Sequence, residues 1–234
     1  MATIGDVAEL AGVSNSTVSR VLNNKEYVKE STRNKVYDAV EKLGYKPSRV
    51  ARSLRVNSSQ IIGLIISDIQ NPFFTSLVRA VEDVAYANNH AIILSNTDED
   101  PQREQLNVDL MISERVAGVI MTPSSEINCP VQKLLNLNIP VVCVDRQVTD
   151  CETDTVVSNN VASSFELISY LLKLGHQRIG AVLAPSDITT GRERLEGYKK
   201  AHHESGIDID TNLIKQDDPK RRIGYELANN LLDL

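Results

Sequence analysis

The sequence predicts two architectures in one chain: a small all-α head carrying a helix-turn-helix, then an α/β domain built on a doubly wound parallel sheet. Three observations carry this. Apolar residues recur at helical spacing through the first 45 positions. From position 60, strand-length apolar runs alternate with helix-length amphipathic stretches, the pattern of a parallel sheet covered on both faces. Charge divides at the same place. Residues 1–60 carry ten Lys/Arg against six Asp/Glu, and the remainder fifteen against twenty-five, in a chain of net charge −6. A basic head on an acidic body points to a polyanionic partner for the head.

In the head, Ile4, Val7, Ala8 and Ala11 fall on one helix face. Gly12 supplies a stop where a left-handed residue is needed, and Ser14 is a good N-cap for a second helix. That helix turns Val18, Val21 and Leu22 inward and leaves Asn15, Ser16, Ser19 and Arg20 on its other faces. A third helix is expected from a cap at Ser31, with Val36, Val40 and Leu43 as its stripe and Gly44 as its stop. A plain helical bundle fits this spacing too. The exposed Asn and Arg side chains are what point to DNA, because they pair with adenine and guanine edges and sit where a recognition helix enters the groove.

Lys42, Lys46, Arg49, Arg52 and Arg55 follow with no acid among them. Pro47 and Ser48 suit a helix start, and Val50, Ala51 and Leu54 make a short apolar stripe. A helix this short is marginal alone in water. The segment reads either as a basic linker or as a helix that forms against DNA beside a second copy. In the second case Leu54 is a wedge into the minor groove.

The body begins with IIGLIIS. HAIILSN, VAGVIMT, PVVCVDR, DTVVSNN and RIGAVLA follow as further strands, with helices expected around 74–88, 102–115, 131–137, 160–174 and 191–205. Ligands of such sheets sit beyond the carboxyl ends of the strands. Those ends supply Ser67, Asp68 and Asn71-Pro72-Phe73-Phe74, then Asn96, Thr97 and Asp98, then Thr122 and Ser124. Asp145-Arg146-Gln147, Asn159, Ser186, Arg192 and Arg194 come next. Singly these are ordinary caps and core residues. Together they describe a site for a small polyhydroxylated ligand, with aromatic faces for C–H bonds and polar groups for hydroxyls.

Enzyme chemistry finds no support. The glycines never form G-x-G-x-x-G or a P-loop, and there is no G-x-S-x-G elbow. No cofactor and no metal are expected. His202 and His203, near a helix end, read as solvated. Cys129, Cys143 and Cys151 have no Cys-x-x-Cys spacing and read as reduced structural thiols. No apolar run approaches the roughly 18 residues needed to cross a bilayer, and MATIGDVAEL lacks a signal core. A cytoplasmic protein is expected.

Two stretches carry a family resemblance: AELAGVSNSTVSRVLN, and VKESTRNKVYDAVEKLGYKPSRVARSLR. They resemble the DNA-binding head and hinge of the LacI/GalR bacterial transcription regulators over residues 2–56. The resemblance implies a head at 1–46, a hinge helix and linker at 47–58, and an effector domain at 59–234. It implies base reading by Asn15, Ser16 and Arg20, and phosphate contacts by Thr17 and Asn23. Leu54 matches the hinge leucine that pairs across a dimer, with Arg55 beside it among the DNA-binding residues.

The body is similar to the type I periplasmic sugar-binding fold, which this family carries as its effector domain. Asn71-Pro72-Phe73-Phe74, Asp145-Arg146-Gln147 and Arg192-Glu193-Arg194 with Gly197-Tyr198 resemble segments of ribose-binding protein and ribose operon repressors. The resemblance implies that Phe73 and Phe74 stack on a sugar ring. Asn71, Asp145, Arg146 and Arg192 then bind hydroxyls, and Arg194 supports them. Purine-responsive relatives share the general pattern, but the Asp-Arg pair points to a sugar, with D-ribose first. The resemblance also implies a longer chain, because this one ends at YELANNLLDL within a helical pattern; an incomplete effector domain is expected.

The expected function is sequence-specific DNA binding as a regulator, a repressor of a ribose-like sugar operon. It works as a homodimer on a pseudo-palindromic operator and is nucleoid-associated in the bacterial cytoplasm. Two other readings stay open: a sugar-binding module without DNA function, and a regulator controlled by a protein co-repressor.

Overall fold

A computed structural model describes residues 2–22, 27–45, 60–217 and 220–234. The chain divides into two compact units, Met1–Ser58 and Ser59–Leu234.

The head has three helices. α1 (Ile4–Ala11) opens on a reciprocal cap: Asp6 N donates to Thr3 Oγ1 at 3.3 Å and Thr3 N donates to Asp6 Oδ2 at 2.7 Å. It ends at Gly12, φ 65°. α2 (Asn15–Leu22) starts where Thr17 N donates to the Ser14 hydroxyl at 3.2 Å, as the sequence predicts. α3 (Glu30–Leu43) departs from expectation. It begins before Ser31, with Lys29 at the cap position and no side-chain cap. The Lys29 carbonyl accepts from Thr32 N and Arg33 N at 2.9 and 3.0 Å, and Glu30 places an acid against the positive end of the helix. Val7, Val18, Val21 and Val36 are wholly buried together, with Val40 and Leu43 at the edge of the cluster.

The body contains a five-stranded sheet in the order β2-β1-β3-β4-β5. The strands are β1 (Ile61–Ile66), β2 (Ala91–Asn96), β3 (Gly118–Met121), β4 (Val141–Val144) and β5 (Asp154–Val156), all paired in parallel. The central strand shows why its run is continuously apolar. Leu64 and Ile66 pack with Phe74 of α4 (Pro72–Ala87). Ile65, pointing the other way, packs with Val108 and Met111 of α5 (Pro101–Ser113) and Leu134 of α6 (Val131–Asn136). Alternate side chains of one strand thus fill two cores. A Cβ on Gly63 would lie 2.7 Å from Met111 Sδ, so α5 approaches the sheet closely there.

A second sheet pairs β6 (Ala181–Leu183) in parallel with β7 (Ile214–Gln216). It packs with α7 (Asn160–Lys173), α8 (Thr189–Ser205) and α9 (Arg221–Leu232). Ile168, Leu172, Ile179, Tyr198 and Ala201 form its core. The expectation for the histidine pair is corrected in half. His203 is exposed, but His202 is buried, because it lies one turn after Tyr198 on the inward face of α8. Its Nδ1 is 3.0 Å from the Tyr198 carbonyl oxygen, and the two rings lie 4.2 Å apart.

All three cysteines are free, and Cys129 and Cys143 are buried. Burial, reinforced by the charges of Cys151 and Glu104, pushes the Cys143 thiol up to about 12. Among the described residues no helix is long and apolar enough to cross a membrane.

Candidate functional site

Two regions present clustered polar side chains. In the head, Asn15, Ser16 and Arg20 are all exposed on α2, and Val18 and Val21 anchor its opposite face. The Ser14 hydroxyl lies 2.8 Å from that of Ser16 and 2.9 Å from that of Thr17. This network ties the first turn of α2 to the preceding turn and leaves the Asn and Arg side chains to reach outward. Asn23, Leu54 and Arg55, with the expected hinge helix, lie outside the described residues.

In the body, a cleft of about 1450 Å³ lies at the carboxyl ends of the strands. Asn71, Phe73 and Phe74 line it from the start of α4; Asp98 and Glu99 line it after β2, and Asp145 and Arg146 after β4. Ala184, Thr190, Arg194, Asp217 and Tyr225 line it from the segments around the second sheet.

Asn71 caps α4, its Oδ1 accepting from Phe73 N at 3.0 Å. That cap turns two rings in different directions. Phe74 goes into the core at 3% exposure, while Phe73 stays 46% exposed, and the rings meet edge-on at 5.1 Å. Phe73 therefore offers a free aromatic face, and Phe74 backs it.

Asp145 sits at φ 70°, held by donating from its N to the Val156 carbonyl at 2.9 Å. Burial raises its carboxyl above the usual range, against the charges of Arg146 and Arg194. Arg146 donates from Nη1 and Nη2 to the two carboxylate oxygens of Glu99, each at 2.6 Å, and from Nη1 to the Pro123 carbonyl at 3.1 Å. Burial pulls its pKa down, but the hydrogen bonds and charge of Glu99 outweigh that and hold it above its ordinary value.

The structure separates the two arginines of the Arg192-Glu193-Arg194 segment. Arg194 lines the cleft, and its Nε donates to Asn160 Oδ1 at 3.0 Å. Arg192 is not among the cleft-lining residues; its Nη2 donates to Glu126 Oε1 at 2.7 Å. Sequence reasoning missed Glu99 and Glu126. Each lies just beyond a strand end that it did examine, after Asp98 and Ser124. Among the described residues no group of three or more His, Cys, Asp or Glu could hold a metal ion.

The comparisons with known proteins agree with both regions. Residues 3–48 match the family model for bacterial regulatory proteins, lacI family. Residues 59–234 match that for periplasmic binding proteins and the sugar binding domain of the LacI family. The chain is 38% identical to the HTH-type transcriptional repressor PurR of Actinobacillus pleuropneumoniae over 234 residues, covering all of this chain and 70% of the relative. It is 35% identical to the ribose operon repressor of Escherichia coli strain K12, covering 99% of this chain and 71% of the relative. The lac repressor dimer, solved bound to operator and the anti-inducer ONPF, matches with a TM-score of 0.80 at 27% identity; the match covers 99% of this chain and 70% of that one. The helix-turn-helix head, the parallel-sheet body and these matches together place the chain in the LacI family of DNA-binding bacterial transcription regulators.

Proposed function

We propose that this regulator represses a sugar-utilisation operon in the bacterial cytoplasm, bound to nucleoid DNA, and that D-ribose or a close relative is its effector. One observation carries the sugar reading. The adjacent Asp145 carboxylate and Arg146 guanidinium line the same cleft as the exposed ring of Phe73. A sugar offers apolar C–H bonds to such a ring, and hydroxyls that both donate and accept. Asn71 and Arg194 extend the polar set, with Arg192 acting from outside the lining. On DNA, two copies place Asn15, Ser16 and Arg20 in successive major grooves of a pseudo-palindrome, with Thr17 and Asn23 on phosphates and Leu54 and Arg55 between the half-sites. The work is recognition, not catalysis, as in the repressors it resembles.

The test is fluorescence anisotropy of the chain on a pseudo-palindromic duplex against a scrambled one, with and without D-ribose, and with a purine base as the contrasting probe. Site preference together with a roughly tenfold or larger change in operator affinity on adding ribose supports the reading. A response to the purine alone, or equal affinity with every candidate sugar, overturns the ribose assignment.

A further inference from the structure

We propose that Glu99 decides the chemical class of effector the cleft accepts, by occupying the face of the Arg146 guanidinium that would otherwise grip an anion. The inference rests on the cleft being the effector site.

Arg146 and Glu99 are both largely buried, their side chains 6% and 15% exposed. Two parallel N–H···O bonds of 2.6 Å join them. This is the fork arrangement with which arginine recognises carboxylates and phosphates, and here the protein fills it itself. The Pro123 carbonyl takes a further donor, on Nη1. What remains are the second N–H of Nη2 and Nε, the latter buried and without a hydrogen-bond partner among the described residues, 3.9 Å from Asp145 Oδ2. The side of the guanidinium that Glu99 and Pro123 do not hold thus lies next to one carboxylate acceptor, Asp145. A hydroxyl satisfies both groups, because it accepts and donates at once. A phosphate or carboxylate does not: it meets two carboxylates, Glu99 and Asp145, and finds the Nη1–Nη2 end of the guanidinium taken.

The backbone is bent to put Glu99 there. Asp98 and Glu99 lie in succession at φ 53° and 62°, a region that non-glycine residues seldom enter. Strain of this kind persists where surrounding contacts over-determine it, and those contacts are present. Asn96 Oδ1 accepts from Ile69 N at 2.9 Å, and Asn96 Nδ2 donates to Asp98 Oδ1 at 2.6 Å. Arg103 pairs with the other Asp98 oxygen. Asp98 is therefore committed to the loop, and Glu99 is the acid that turns to Arg146. Glu99 is a positioning and specificity residue, acting through Arg146.

The test uses the full 234-residue chain as wild type, Glu99→Gln and Glu99→Ala. Calorimetric titrations with D-ribose, D-ribose 5-phosphate and inorganic phosphate are run beside a melting curve for each protein. Glutamine keeps an oxygen acceptor for Arg146, so that variant retains its fold; alanine opens the fork entirely. The expected result is a wild type that prefers ribose to its phosphate and ignores inorganic phosphate. In Glu99→Gln the preference falls by about tenfold or more, and millimolar phosphate binds, because the repulsive element is gone. A selectivity ratio that holds within about twofold in both variants, with phosphate still unbound, overturns the proposal. If no protein binds ribose, the ribose assignment falls separately, and the gain or absence of phosphate binding still decides the role of Glu99.

Discussion

Arg192 Nη2 meets Glu126 Oε1 at 2.7 Å, and this contact joins the loop after β3 to the first turn of α8. The Thr189 hydroxyl donates to the same oxygen at 2.5 Å, and Gln147 N reaches Thr189 Oγ1 at 3.5 Å. β3 belongs to the five-stranded sheet and α8 packs on the second. The two halves of the effector domain are therefore tied together by Glu126, Thr189 and Arg192 beside the cleft.

That tie has a pH signature. Burial tends to raise the Glu126 carboxyl, but the hydrogen bonds from Arg192 and Thr189 outweigh it and hold the pKa below the ordinary value. A depressed folded-state pKa contributes stability that is present above the unfolded value of about 4.3 and is lost as pH falls through the folded value. Arg192 is half exposed, so solvent screening limits the pair to about 0.5–1 kcal/mol. Glu126→Gln is expected to lower stability by that amount at neutral pH, with the gap to wild type closing below about pH 4. Melting curves across this range check it; a gap that stays constant to pH 3 would show that charge is not what Glu126 contributes.

The contact also shows where sequence reading stopped. Periodicity located the three head helices and the first six strands of the body, because burial on one helix face or on both sheet faces writes itself into residue order. Ile65 with its neighbours Leu64 and Ile66 is the clearest case. β7 escaped: Ile214–Gln216 is three residues with one large apolar side chain. Its strand state comes from pairing with β6, not from its own pattern. At the cleft, Phe73, Asp145, Arg146 and Arg194 were legible from residue type and strand-end position. The destination of Arg192 was not. Its ion pair spans 66 residues of sequence, and no local spacing distinguishes an arginine facing a ligand from one facing Glu126. His202 failed for a related reason: whether a helical histidine is solvated depends on which face its neighbours bury.

The crossing of α7 and α8 depends on a missing side chain. A Cβ on Gly197 would lie 2.3 Å from the Val161 carbonyl oxygen, 2.7 Å from Ser164 Cβ and 2.8 Å from Phe165 N. Two of these are backbone atoms, which cannot rotate away, so the helices must part. The same crossing lets the Ser164 hydroxyl donate to the Arg194 carbonyl at 2.6 Å and Asn160 Nδ2 donate to Glu193 at 2.9 Å. Gly197→Ala is expected to destabilise the body by about 1–3 kcal/mol, the usual cost of overpacking, and to displace Arg194 from the cleft. Gly224→Ala is the control, since nothing lies within 4 Å of its Cβ position; removing a helical glycine there is expected to be neutral or stabilising by about 0.5 kcal/mol. Urea unfolding of the two variants tests the contrast, and equal midpoints would mean the helices separate freely.

In the head, Arg20 and Val18 lie two residues apart on α2 and predict opposite kinds of failure. Val18 is fully buried against Val7, Val21 and Val36, so Val18→Ala should loosen the head and weaken binding to every duplex alike. Arg20 is exposed, and removing it leaves that core intact. If it reads a guanine edge, Arg20→Ala loses about 1–3 kcal/mol on the operator, roughly a five- to 150-fold weaker Kd. Binding to scrambled DNA would change far less, and the melting temperature would hold. A phosphate contact behaves differently: it weakens both duplexes about equally and reduces the salt slope by about one. Anisotropy titrations on both duplexes at several salt concentrations separate these outcomes. Uniform weakening with a shallower slope would move Arg20 from base reading to backbone positioning, and Asn15 and Ser16 would be left to carry the sequence preference of α2.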